Sequence, residues 1–578
     1  MEKRWVVKEK GGKELVEKLS GVLNINTNLT NLLVQRGVTE FEEAKTFFRP
    51  ELNQLHDPFL MKDMDVAVER IKKAFQNKEK ILIYGDYDVD GTTAVALVYT
   101  FLKEIYTDID YYIPDRYAEG YGISLKSIDF AAENKFSLII ALDCGIKAID
   151  KIEYANQKKI DFIICDHHRP GEKIPDAFAV LDAKRNDCSY PYKELSGCGV
   201  GFKLIQGYAQ KNDISFEKLY KYLDLVVVSI ASDIVQVTGE NRILAYHGLK
   251  LINTNPRPGF ESILEYSGIK KTSNKEENYF NRKLTITDLV FLIGPRINAA
   301  GRIESARNSV ELLICDDIKY SKKIGHQINI LNTERKSLDS QTTEHALEMI
   351  NQSSEMRKKK STVVYHPGWH KGVIGIVASR LIEHYYKPTI VLTKSNGHIT
   401  GSARSVKGFD VYEAIESCSY LLEHFGGHKY AAGLSLKPEN LELFIDHFEK
   451  SVSETIKEEM LTPEIEIDSV INIKEITADF YNILKQFAPF GPGNMSPVFQ
   501  TNCVFDNGYA RIVGKNHLKL TVADPETCMK PFPAIAFNQG DYLEKVLKQL
   551  PLSICYHIEE NEWNGNISLQ LNIKDIKI

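Results

Sequence analysis

Three apolar, β-branched runs each stop at a charged loop, and this recurrence constrains the fold more than any other feature of the chain. ILIY (81–84) leads into YGDYDVDG, LIIAL (138–142) into DCG, and IDFIIC (160–165) into DHH. Helical patterns lie between them: TTAVALVYTFLKEI (92–105) carries an apolar stripe, and AIDKIEYANQKK separates the second run from the third. Strand, loop and helix alternating at this spacing predict an α/β fold with a mostly parallel, doubly wound sheet. In such sheets ligands bind beyond the carboxyl ends of the strands. That edge would receive Asp86, Asp88 and Asp90 from the first loop, Asp143 from the second, and Asp166, His167 and His168 from the third. Asp233, near the end of FEKLYKYLDLVVVSIASDI, which reads as one apolar helix, is a further candidate.

Carboxylates gathered on one edge repel each other, so their coexistence requires cations. Carboxylate and imidazole without thiolate suit Mn²⁺ or Mg²⁺ better than structural zinc. Two such ions about 3.5–4 Å apart would activate water and stabilise the attacking and leaving oxygens at phosphorus. Taken singly, each cluster has an ordinary explanation. A DxD loop is commonly a turn or helix cap, a His pair a packing accident, and Asp233 a helix-terminal residue. Three clusters in register on one predicted edge are hard to reconcile with those explanations.

The 578 residues exceed what one hydrophobic core can organise. Residues 1–70 read as short helical pieces. A polar patch, SNKEENYFNRK, precedes GPRINAAGR, and a long polar helix spans roughly 316–356. A second α/β lobe begins at STVVYHPGWH (361–370), and the strand-rich tail, with DNG, GKN and WNGN turns, suits a small β-barrel. The net charge of −6 gives no hint of an anionic partner, but charge is segregated: Arg357 to Lys407 holds ten Lys or Arg against one acid, Glu383. Trp369, Tyr385 and Tyr386 are interleaved there, as a single nucleic-acid strand would require. The glycines of GGHKYAAG (426–433) would either cradle an anion, with His428 as a donor, or form a tight turn into a helix. No GxxxxGK[ST] occurs, so ATP is not implied. Nine Cys without CxxC pairing predict free thiols in a reducing compartment. With no apolar leader and no run near the ~18 apolar residues of a membrane span, a cytoplasmic protein is expected.

DYDVDG, LDCG, DHH and the later Asp233 resemble the signature motifs of the DHH phosphoesterase superfamily, and their order and spacing are similar to those of the RecJ exonucleases. HPGWHKGVIGIVASRL (366–381), GSARS (401–405) and GGHKYAAG resemble the DHHA1-like lobe that comes next in that family. The N-terminal stretch LLVQRGVTEF and PFGPGN (489–494), before an oligonucleotide-binding (OB) barrel, extend the resemblance to nearly the whole chain. It implies an N-terminal helical region (1–70), a DHH domain (71–315), a connector helix (316–356), a DHHA1-like domain (357–460) and an OB-type β-barrel (461–578). It implies metal ligation by Asp86, Asp88, Asp90, Asp143, His167 and Asp233, with Asp143 bridging two Mn²⁺ or Mg²⁺ ions. His168 would contact the scissile phosphate or support a metal, and Asp166 would orient the histidines. A substrate 5′-phosphate would be held by Ser402, Arg404, Arg116 and one of Arg296 or Arg302, with His428 nearby. The implied activity is metal-dependent 5′→3′ degradation of single-stranded DNA to mononucleotides, in repair and recombination. The implied state is a monomer, with a single-strand-binding protein and a RecQ-type helicase as partners. This chain reads ASDIVQV where the family often reads IADVVPL, and Met495-Ser496 where the family commonly has a proline or acidic residue. Two competitors are a DHH phosphatase of oligoribonucleotides or nucleotides and a catalytically inactive DNA clamp. The barrel and long N-terminal region weigh against the first, the intact motifs against the second.

Overall fold

The computed structural model describes residues 2–272, 279–303, 305–524, 531–563 and 566–578. Most of the polar patch SNKEENYFNRK and the centre of the WNGN turn lie outside them. The chain packs as two compact units, one of residues 5–295, 309–323 and 466–578, the other of residues 1–4, 296–308 and 324–465.

The first unit contains a parallel sheet of β1 (Lys80–Gly85), β2 (Ile109–Tyr112), β3 (Phe136–Leu142), β4 (Asp161–Cys165) and β5 (Ala179–Leu181). The strand order is β2-β1-β3-β4-β5, so connections reverse direction between β1 and β3, where the carboxyl edge opens a crevice. Ile81, Leu82, Ile83, Ile139 and Ile140 are fully buried, as strands covered on both faces must be. Helices form at Val89–Lys103 and Ile149–Gln157, where the sequence pattern places them. FEKLYKYLDLVVVSIASDI is not one helix: a 3-10 stretch, Phe216–Tyr222, precedes the α-helix Leu223–Ser232, which ends at Asp233.

The N-terminal region opens on a strand, Arg4–Val7, before its helices. Leu29, Leu32, Leu33 and Phe47 share a core with Phe480, Phe487 and Phe499 of the C-terminal region. This part therefore packs on the C-terminal region, and its Phe47 also meets Arg242 of the catalytic lobe. The later helix Met64–Gln76 does meet that lobe, where Arg70 Nε pairs with Asp161 Oδ2 at 2.7 Å.

The second unit holds a mixed sheet ordered β9-β10-β8-β7-β6, with β6 (Thr362–Tyr365), β7 (Thr389–Ser395), β8 (His398–Arg404), β9 (Leu422–His428) and β10 (Ala431–Leu436). The crossover helix Ile374–Tyr385 buries Val377, Ala378 and Leu381 against Ala346 and Ile350 of the 35-residue helix Ile318–Gln352. GGHKYAAG forms the β9–β10 hairpin, Gly426 opposite Gly433, so the alternative of a turn into a helix is corrected. Within the basic run at 357–360, Lys359 pairs with Glu355 and Lys360 with Glu458.

In the C-terminal region of the first unit, β11 (Phe499–Asp506) pairs with β14 (Leu552–Trp563) on one side and β12 (His517–Ala523) on the other. β12 pairs with β13 (Phe532–Ala536), β13 with β15 (Asn566–Lys577), and β15 with β14, closing a five-stranded barrel of OB type. Cys144 and Cys165 are buried free thiols. Among the described residues, no helix is long and apolar enough to cross a membrane.

Candidate active site

The carboxyl edge of the parallel sheet collects the predicted acids. Asp86 comes directly after β1 and is fully buried; neither carboxylate oxygen makes a well-formed hydrogen bond, although the Tyr87 and Gly122 amides favour its ionised form. Burial, then the neighbouring Asp88, pushes its pKa well above the usual carboxylate range. Asp88 caps the helix Val89–Lys103 by accepting from the Gly91 amide at 3.0 Å. Burial and Asp90 raise its pKa too. Asp90 accepts from the Gly197 and Cys198 amides, each at 2.7 Å, and from the Ser229 hydroxyl at 2.7 Å. Those two amides open the helix Gly197–Lys211, whose N-terminus thus faces an anion.

Asp143 sits at φ 60°, a left-handed conformation that Asp and Asn tolerate best among non-glycine residues. Gly197 approaches it so closely that a Cβ there would lie 2.6 Å from Asp143 Oδ1. That oxygen is 3.1 Å from His167 Nε2, yet the two fall short of hydrogen-bond geometry and neither atom has a hydrogen-bond partner elsewhere among the described residues. His167 Nε2 is also 3.6 Å from both Asp90 Oδ2 and Asp233 Oδ2. Burial holds His167 below its ordinary pKa, which favours the neutral, metal-binding ring. Burial and the surrounding carboxylates push Asp143 well above the usual range and Asp233 up to about 8.

Asp166 accepts from the amides of Ile146, His167 and His168 at 2.9, 2.8 and 3.1 Å, and from His168 Nδ1 at 2.7 Å. Burial opposes its ionisation, but the His168 contact and the Ile146 amide outweigh burial and hold its pKa at about 2. Burial likewise opposes a charge on His168, and Asp166 overcomes it, lifting the imidazole to about 9. The far nitrogen of His168 meets the Tyr121 hydroxyl at 3.2 Å.

Ligand atoms of Asp143, His167 and His168, and of Asp90, His167 and Asp233, lie within 4.8 Å of one another. Because His168 Nδ1 already engages Asp166, Asp143 and His167 are the better donors in the first group. Orphaned buried oxygens on Asp86 and Asp143, with like-charged neighbours, are what a divalent cation would satisfy. Burial keeps the adjacent Cys144 thiol protonated, so the donor set is oxygen and imidazole.

Sequence reasoning missed two neighbours. Asp182 succeeds β5 as Asp166 succeeds β4, with Cys165 and Leu181 paired in register. It is fully buried, receives the Lys184 amide at 2.7 Å, and has one unpartnered oxygen; burial pushes it up to about 7. Its run, AVLD, ends in an acid as LIIALD does, so the same signal would have found it. Tyr121 carries no such signal.

The anion-binding candidates fall in both units. Arg116 lies over the Tyr87 ring at 4.9 Å, close enough to Asp86 to favour its ionised form. In the second unit Arg404 Nη1 donates to Ser402 Oγ at 3.1 Å. Among the described residues no carboxylate pairs with Arg404, and burial lowers its pKa. Gly375, in the first turn of the helix Ile374–Tyr385, packs on both: a Cβ would lie 2.9 Å from Ser402 Oγ and 3.0 Å from Arg404 Nη2. Arg302 Nη1 donates to the Gly372 carbonyl at 2.9 Å, just before that helix. Arg296 instead reaches Asn329 of the long helix at 3.1 Å. His428 is exposed at the β9–β10 hairpin, its Nδ1 accepting from the Tyr430 amide at 3.3 Å.

Comparison with known proteins agrees with this architecture. Residues 80–230 match the DHH family N-terminal domain, 358–454 the DHHA1 domain and 467–575 the RecJ OB domain. The single-stranded-DNA-specific exonuclease RecJ of Bacillus subtilis is 35% identical over 578 residues, covering 100% of this chain and 71% of that protein. The RecJ of Escherichia coli is 32% identical over 566 residues, 95% of each. The crystal structure of Thermus thermophilus RecJ with Mn²⁺ superposes with a TM-score of 0.83 at 24% identity, over 100% of this chain and 79% of that one. The chain belongs to the RecJ family of single-stranded-DNA-specific exonucleases.

Proposed function

We propose that this chain degrades single-stranded DNA from the 5′ end to mononucleotides, using two divalent cations, in DNA repair and recombination. The observation that carries this reading is the buried carboxylate–histidine cluster with orphaned oxygens, in a chain of this family. Asp86, Asp88, Asp90, Asp143, His167 and Asp233 would hold the cations, with Asp143 between them. Mn²⁺ or Mg²⁺ bound there supplies Lewis acidity toward a phosphodiester. Asp166 fixes the ring of His168 through Nδ1, so the far nitrogen of His168 would be held to meet a phosphate oxygen. Ser402, Arg404 and the adjoining helix N-terminus would take the terminal 5′-phosphate, with His428 as a further contact, while Arg116, in the first unit, would meet a substrate phosphate beside Asp86. Arg302 fits that role better than Arg296, because it engages the backbone three residues before Gly375. The protein would act as a cytoplasmic monomer, with a single-strand-binding protein and a RecQ-type helicase supplying its substrate.

Strands labelled at either end test this reading. Purified protein with Mn²⁺ should release mononucleotides from the 5′ end, stop in EDTA, and be indifferent to ATP. Continued digestion in EDTA would sink the metal assignment, and release of inorganic phosphate alone would favour the phosphatase. Blunt duplex should resist digestion, since the proposed pocket takes one strand end. Affinity for single strands should fall by about two and a half decades or more between 50 and 200 mM salt if six or more phosphates are neutralised. A blunt duplex digested as fast as a single strand would contradict the substrate assignment.

A further inference from the structure

The loop at residues 490–494, before the barrel, lies far in sequence from the acidic motifs, yet it reaches the turn that carries Asp233. Asp233 ends the helix Leu223–Ser232, its amide donating to the Ser229 carbonyl at 2.9 Å. The next residue, Ile234, has φ 57° and is 65% exposed. A β-branched side chain is disfavoured in the left-handed region, and an exposed one gains little packing in return. The restraint on this turn must therefore come from the residues just beyond it.

Gln236 and Val237 are clamped. The Gln236 carbonyl accepts from Asn241 Nδ2 at 2.9 Å and from the Tyr192 hydroxyl at 3.2 Å. Val237 is fully buried, and its amide donates to the Pro492 carbonyl at 2.6 Å. Gly491 packs on the same side chain, so that a Cβ at 491 would overlap Val237 Cγ2. The loop itself is rigidly held. Gly491 and Asn494 exchange backbone hydrogen bonds at 3.0 and 2.8 Å. The buried Asn494 side chain donates to the Phe487 and Pro489 carbonyls at 2.7 and 2.9 Å and accepts from Arg36 Nε at 2.7 Å. Arg242, also buried, donates to the carbonyls of Phe47, Gln486, Phe487, Ala488 and Pro489 and covers the Phe47 ring at 3.8 Å.

We propose that Gly491, Pro492 and Asn494 are positioning residues for Asp233, so that the approach to the barrel sets the metal affinity of the catalytic cluster. The inference rests on the reading of Asp233 as a metal ligand. Plain domain packing predicts a loss of stability when the loop is disturbed, whereas positioning predicts a loss of metal affinity that a compensating change restores.

The experiment is calorimetric titration of the full chain with Mn²⁺, without DNA, alongside thermal unfolding. Gly491→Ala pushes on a stiff, buried valine and should weaken Mn²⁺ binding by about tenfold, as loss of a group supporting a metal ligand typically does. Gly491→Ala with Val237→Ala removes the overlap and should return the affinity to about the wild-type value. Wild-type Mn²⁺ affinity in a folded Gly491→Ala protein, or no recovery in the double variant, would overturn the inference. Should Gly491→Ala not fold, Asn494→Ala decides: weaker Mn²⁺ binding supports the clamp, and unchanged binding overturns it. Asp233→Asn is titrated in parallel. Unchanged Mn²⁺ binding there overturns the metal reading itself, whatever the loop variants do.

Discussion

Asp143→Asn is expected to abolish nucleolysis while leaving the chain folded. Asn retains the volume against Gly197 and accepts φ 60°, whereas Ala at that backbone conformation would add strain. What changes is charge at an oxygen that faces His167 without a hydrogen-bond partner. Losing that charge should lower kcat by roughly a thousandfold or more, corresponding to about 4 kcal/mol of lost transition-state stabilisation. The metal-free protein should respond in the opposite sense. Burial and neighbouring acids raise the pKa of Asp143 well above its ordinary value and that of Asp233 to about 8. The folded state therefore binds these protons more tightly than the unfolded chain. Stability is then present below the ordinary aspartate pKa of about 4 and is lost as pH rises toward the folded-state values. In EDTA, wild-type Tm should fall between about pH 4 and 8, and Asp143→Asn should fall less. Mn²⁺ should raise wild-type Tm strongly and the variant's only weakly, since a ligand that binds only the folded state stabilises it by mass action. Thermal scans with and without metal, beside single-turnover digestion, check both halves. Substantial activity in a folded Asp143→Asn protein would refute the role given to this residue.

The parallel sheet was legible because its strands are short apolar runs with abrupt charged ends, and both properties are local. The same locality made the strand-end acids visible as a set. It failed where partners are distant in sequence. Leu32 and Phe47 lie in an amphipathic stretch whose pattern shows a buried face but not its neighbour, which proves to be Phe487 and Phe499. The segment ending at Asp233 reads as one apolar helix, since the change from 3-10 to α geometry at Leu223 leaves no mark in periodicity. GGHKYAAG offered two local conformations, and pairing with Arg404's strand selects a hairpin. Arg296 and Arg302 sit in one short motif, and their acceptors, Asn329 and the Gly372 carbonyl, distinguish them. Asp182 was within reach of the rule that found Asp143, but no motif directed attention to it.

Arg404→Ala should weaken capture of a 5′-phosphorylated strand far more than of one ending in a 5′-hydroxyl. Phosphodiester chemistry is the same in either direction, so a metal cluster cannot choose an end; a pocket that recognises a terminus must. Arg404 has the attributes of such a pocket. Its guanidinium is half-buried, burial lowers its pKa, and no carboxylate among the described residues neutralises it. It lies with Ser402 against Gly375 in the first turn of a helix, where the backbone dipole adds positive potential. An anion bound there would interact favourably with both the guanidinium and the helix end. A terminal phosphate carries more charge than an internal diester and presents more oxygens to a planar, forked donor. Loss of such a charge-assisted contact costs about 1.5–3 kcal/mol, or roughly one to two decades in affinity. Arg404→Lys keeps the charge without the fork and should fall between wild type and Ala. Mn²⁺ affinity should not change in either variant, which separates this loss from damage to the cluster. Binding and digestion of strands with and without the 5′-phosphate, labelled at either end, provide the measurement. Equal losses on both strands, or wild-type digestion that starts at the 3′ end, would show that Arg404 does not read the terminal phosphate.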